Sequence, residues 1–149
     1  MPRLSRRNAV QALGLLVAGA ALPAKARAAD AAPLAIHGYD PVAYFTLGAP
    51  ARGRPELDHD WDEQRYLFAR PEHRDLFKAD PARYAPQFAG VCAMALTRGE
   101  IDEPNPEYWL VSDGKLYLFG KPIGPALFRK DLADNLAKAA RNQPLIVRR

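Results

Sequence analysis

The sequence predicts an α+β fold, a small single domain of short helices packed around antiparallel β-hairpins and finished by a C-terminal amphipathic helix. Three observations carry that expectation. Aromatic and aliphatic runs flank short polar turns at 57–68 and again at 108–119. The dipeptide Asp-Pro occurs at Asp40-Pro41 and at Asp80-Pro81, each time before a short apolar stretch. Residues 124–142 place apolar side chains at spacings of four or five, as one face of a helix requires.

Taken along the chain, Asp40-Pro41 opens a short helix over 41–46. Aspartate accepts hydrogen bonds from first-turn N–H groups, and proline tolerates a position whose N–H would be unpaired anyway. Gly48 stops it. A first hairpin follows, 57–61 with 65–68, joined by Asp62-Glu63-Gln64, without the Asn-Gly or Asp-Gly dipeptide that marks a tight turn. A helix is expected over 71–79 with Leu76 and Phe77 turned inward, and Asp80-Pro81 starts one further turn ending near Tyr84. The second hairpin, YWLVSDGKLYLF, has Asp113-Gly114 at its turn, where glycine accepts positive φ without strain. The final helix is expected to bury Leu127 or Phe128, Leu132, Leu136 and Ala140.

At 149 residues the chain suits one domain, and 48% hydrophobic with 26% charged residues is a globular rather than a disordered composition. The basic pI of 9.4 comes from the N-terminus. Residues 1–28 hold five basic and no acidic side chains, so the rest carries 16 Lys+Arg against 17 Asp+Glu, a net charge of −1. Nucleic acid is therefore not an expected partner. The same segment reads as an export signal: a charged start, a modest apolar run too short to span a bilayer, and Ala26-Arg27-Ala28 as a cleavage site. Arg6-Arg7 after Ser5 matches the twin-arginine type in part, with Ala9 where a bulkier apolar residue is usual. The expected organisation is 1–28 export signal, 29–34 flexible leader, 35–142 folded domain and 143–149 tail. Cleavage near Ala28 would release a periplasmic protein with no stable membrane insertion, monomeric or weakly associating.

Three stretches in order, HGYDPVAYF at 37–45, RYLFARPEHRDLFKADPARYAPQFAGVCAMAL at 65–96 and WLVSDGKLYLF at 109–119, resemble the exported bacterial YHS-domain family. The resemblance implies a small periplasmic protein. Metal-binding relatives of this domain class place cysteines after the Asp-Pro start and after the aromatic strand; here those positions read Val42-Ala43 and Glu72-His73-Arg74, so a four-cysteine zinc knuckle is excluded by count. Exported members are similar to this chain at Cys92, and some carry selenocysteine there, which implies redox or soft-metal chemistry.

Cys92 is the sole cysteine, so no disulfide can close within the chain. As part of a helix it would lie in the first turn, where thiolate is favoured; as part of a strand it would share a face with Met94, giving two soft donors suited to Cu(I). An inert thiol buried in the core is the plain alternative. His37 is the imidazole expected beside Cys92 if the Asp-Pro loop packs there. His73 is expected on an exposed helix face. His59 is expected to point away from the acidic residues at 58 and 60. Tyr39, Asp40, Tyr44 and Tyr84 either line a small pocket or seal the core. No phosphate loop, nucleophile elbow or Ser/His/Asp triad is evident in the sequence. The leading expectation is a binding module without catalytic turnover that handles a soft metal ion, copper for example, through Cys92, Met94 and His37. Alternatives are a thiol redox protein with an external partner and a structural or protein-interaction domain.

Overall fold

The structure, a computed structural model, describes residues 31–147; the expected export signal at 1–28 lies outside the described residues. The predicted α+β class is what the chain adopts. Its strands are β1 (Arg54–Trp61) and β2 (Gln64–Phe68) in one antiparallel pair, and β3 (Asn105–Ser112) and β4 (Lys115–Phe119) in another. The helices are α1 (Ala43–Thr46), α2 (Pro71–Ala79), α3 (Pro81–Tyr84), α4 (Ala93–Leu96), α5 (Gly124–Lys130) and α6 (Leu132–Asn142). Among the described residues no helix is long and apolar enough to cross a membrane.

Both hairpins have two-residue turns. Asp113 and Gly114 sit at φ 49° and 69°, and Asp62 and Glu63 at φ 51° and 63°. The first hairpin therefore reaches the same left-handed geometry with two side-chain-bearing residues, a conformation worth about 1–2 kcal/mol of strain per residue. The register Trp61↔Gln64 and Asp60↔Arg65 places His59 opposite Tyr66 and Asp58 opposite Leu67. His59 stacks edge-on near Phe77, at 6.2 Å between centroids, while Asp58 pairs with Arg65 at 2.7 Å on the other face. Strand alternation thus separates His59 from its acidic neighbours as expected.

The core has two clusters. One gathers Tyr66 and Phe68 of β2, Phe77 of α2, Tyr44, Tyr84, Leu116 and Leu118. Phe77 lies 4.6 Å from Tyr66 and 5.2 Å from Phe68 by ring centroids, and full burial of such a side chain is worth about 1.5–3 kcal/mol. The other joins Cys92, Leu110, Tyr117, Phe119 and Phe128.

Three features of the fold differ from expectation. In α2, Leu76 is exposed at 42% and the inward pair is His73 with Phe77, four residues apart on one face. The aromatic stack on β2 sets the helix phase, so that Phe77 and not Leu76 faces the core. The C-terminal helix is broken at Asp131 into α5 and α6. Its inner residues are Phe128, Asn135 and Ala139, while Leu127 and Ala140 face out. Asn135 is buried because its Nδ2 donates to the carbonyls of Leu127 and Phe128, which the break leaves without helical partners. At the other end, Arg65 N–H donates to Pro33 O, so the expected leader over 29–34 is already tied to β2 at Pro33.

Candidate functional site

The segment that carries Cys92 is neither a strand nor the inside of a long helix. A tight turn at Phe88–Gly90 brings the chain alongside β4, where Cys92 bridges Leu118 and its N–H donates to Asp102 O at 2.9 Å. Cys92 then caps the four-residue α4. Its sulfur accepts the Ala95 N–H at 3.4 Å and the Gly120 N–H at 3.2 Å. Two backbone donors from different segments thus converge on one sulfur. So short a helix contributes one N–H rather than a dipole field along an axis.

Gly120 is what lets the second donor come so close. A Cβ there would sit 3.0 Å from Glu103 O and 3.8 Å from the Cys92 sulfur, so any side chain would push the strand end away. Gly124 is crowded too, since its Cβ would meet Phe119 at 2.8 Å.

Cys92 is only 6% exposed, yet it borders a cavity of about 410 Å³. Met94 and Leu127 supply apolar surface, Arg98 and Lys121 positive charge, and Asp102 and Glu103 negative charge. The Arg98 guanidinium is held above its ordinary pKa, foremost by its hydrogen bond to Glu100, with smaller Coulombic help from Glu100, Cys92 and Asp102 against desolvation. Arg98 also donates to Met94 O at 3.3 Å, which keeps its side chain folded back over α4.

Of the three residues expected at the site, Cys92 and Met94 share this cavity. His37 does not border it. The imidazole lines a neighbouring cleft of about 270 Å³, with Nε2 3.5 Å from the Glu103 carboxylate, and Asp102 and Glu103 border both spaces. Positive φ at Ile36 and His37, 49° each, turns the loop so that His37 faces solvent on the far side of the 102–103 segment. Among the described residues no three His, Cys, Asp or Glu side chains are placed to hold one metal ion.

The aromatic and acidic residues near the Asp-Pro start seal the fold and do not line this cavity. Tyr44 donates to Pro106 O at 2.9 Å, and burial pushes its phenol far above the ordinary value. Tyr39 donates to Glu107 at 2.9 Å, and both bonds fasten the region before α1 to the start of β3.

Sequence reasoning missed a second polar cluster. Asp40 is fully buried; its Oδ1 accepts the N–H groups of Val42 at 2.8 Å and Ala43 at 3.3 Å, and its Oδ2 accepts that of Ala69 at 2.8 Å. The expected helix-start role is therefore present. His73, expected on the surface, is 4% exposed, with Nδ1 2.6 Å from Asp40 Oδ2 and Nε2 3.0 Å from Thr46 Oγ1. The available signal was its spacing of four from Phe77, which puts both on one helix face.

No family model, no curated protein and no solved structure matches the chain significantly.

Proposed function

We propose that the chain is an exported binding module of the YHS-domain type whose working group is the Cys92 sulfur, taking a soft ligand in the cavity beside it. The observation that carries this reading is the convergence of two backbone N–H groups on a sulfur that borders an open cavity. Buried cysteines that only fill a core face hydrocarbon on every side, whereas this one is oriented by two donors and has Met94 at the same wall. Paired sulfur donors suit Cu(I), which accepts low coordination numbers and soft ligands. A closed tetrahedral zinc site would need four converging donors, and these residues do not supply them.

Competition titration of the reduced full-length chain with Cu(I) tests the proposal. One equivalent should bind to the wild type, more weakly to Met94→Leu, and not measurably to Cys92→Ser, while His37→Ala should bind as the wild type does. Equal, weak binding by wild type and Cys92→Ser would end the metal reading.

A second reading is favoured by the absence of an intramolecular thiol partner together with the same two donors: exchange of Cys92 with an external disulfide, in which the thiolate forms a mixed disulfide and releases one thiolate from its partner. Incubation with oxidised glutathione followed by mass spectrometry should show a single adduct on Cys92. An unmodified folded protein would remove that reading.

A further inference from the structure

We infer that the apolar groove between the turn of the first hairpin and the 101–104 segment is a docking site for a short segment of a partner protein, with aliphatic side chains at its centre and lysine or arginine on either side. Two hollows of about 290 and 270 Å³ make up this groove. They share Gln64, Ala89, Val91 and Ile101, so they are continuous along one surface. Leu34, Ile101 and Val147, which line it, are exposed at 50%, 48% and 79%. A connected apolar strip of this kind, unlike single exposed hydrophobic residues, marks a site of interaction.

Charge decides the occupant. Asp62 and Glu63 border the first hollow and Asp102 and Glu103 the second, so carboxylates stand on either side of the shared apolar stretch. Among the described residues neither hollow is lined by lysine or arginine, and the one imidazole, His37, lies 3.5 Å from Glu103. A second copy docked by twofold symmetry would set carboxylates against carboxylates, and an anionic lipid surface would be repelled in the same way. A segment with apolar side chains between cations matches both the middle of the groove and its ends. Positive charge then steers the encounter, and burial of the aliphatic side chains holds the complex.

The backbone gives this groove a set shape. Of the seven side-chain-bearing residues with positive φ among those described, five border it: Ile36, His37, Asp62, Glu63 and Ala89. Left-handed backbone costs free energy in any residue but glycine, and such positions gather where a ligand is clamped. Hydrogen bonds anchor the walls: Arg65 N–H donates to Pro33 O at 2.9 Å, Gln87 N–H to Leu116 O at 2.8 Å and Cys92 N–H to Asp102 O at 2.9 Å. Walls fixed in advance lower the ordering cost of binding. Only Asp102 and Glu103 border both this groove and the cavity beside Cys92, so the inference stands apart from the copper reading.

Fluorescence anisotropy with a labelled peptide, three leucines flanked on each side by two lysines, tests the proposal on the full-length protein. The wild type should bind it saturably and more weakly as salt rises. Counterparts with glutamate for lysine, or serine for leucine, should bind at least tenfold more weakly. Ile101→Ser, at an exposed position that the fold does not depend on, should weaken binding about fivefold or more. Asp102→Asn combined with Glu103→Gln should weaken it by a similar factor and flatten the salt dependence. Removal of Arg148 and Arg149, which follow Val147 in the sequence, should leave binding as tight or tighter. An unbound peptide, equal binding of the lysine and glutamate peptides, or unchanged affinity in Ile101→Ser overturns the assignment. So does a wild type that binds no peptide but dimerises in sedimentation while Ile101→Ser stays monomeric, an outcome that gives the face to a second copy.

Discussion

Asp40 and Cys92 each stand just ahead of a four-residue helix, and each accepts backbone N–H bonds from the helix start and from a distant segment. They differ in what surrounds the acceptor. Asp40 is saturated by three N–H groups and an imidazole, with no exposed surface, whereas Cys92 has two donors and a cavity on its remaining side. One local device thus serves two ends. Where the acceptor is enclosed it joins α1, β2 and α2 into one unit, and where it is left partly open one side of the sulfur faces a cavity.

Substitutions separate the two cases by size of effect. Asp40→Ala should be the most damaging, because it strands three N–H groups and a buried imidazole; each buried donor left unsatisfied costs about 1–3 kcal/mol, readable as a fall in the urea midpoint. Gly120→Ala should come next. Its methyl group meets Glu103 O and moves the N–H away from the sulfur, an overpacking cost of about 1–3 kcal/mol, with the Cys92 alkylation rate changed in the same variant. Cys92→Ser should be mildest, within about 1 kcal/mol of the wild type in denaturation, since a hydroxyl oxygen still accepts both N–H groups. If Cys92→Ser were as destabilising as Asp40→Ala, the contrast would fail and the sulfur would be a packing group.

Both hairpins, both Asp-Pro starts and the α+β class were legible because each rests on a local rule: alternation with period two, a capping side chain, a positive-φ turn. The misread parts depend on distant partners. Whether Leu76 or Phe77 faces inward is decided by Tyr66 and Phe68, and the phase of a nine-residue helix is not fixed by two adjacent apolar residues. His73 resembled a surface residue because its neighbours Glu72 and Arg74 are charged, and its partner Asp40 lies 33 positions away. The break at Asp131 escaped notice because Asn135, a polar residue, completes the buried face by satisfying backbone carbonyls. At the candidate site Cys92 and Met94 border one cavity, but the strand alternation that would pair them does not apply, because Cys92 caps a four-residue helix. The separation of His37 was not readable either, since it follows from two left-handed residues in a loop.

The short bridges Pro86↔Leu116 and Cys92↔Leu118, like Leu34↔Arg65 beside β2, occupy the flank of a strand that its hairpin partner leaves uncovered. Such flanks, if bare, template the addition of strands from other molecules. Cys92, whose sulfur borders the cavity, therefore also helps to cover such a flank. An adduct bulky enough to lift the 86–92 segment would uncover Leu116 and Leu118, and chemical modification of the thiol would then be felt as a tendency of the molecules to stick together.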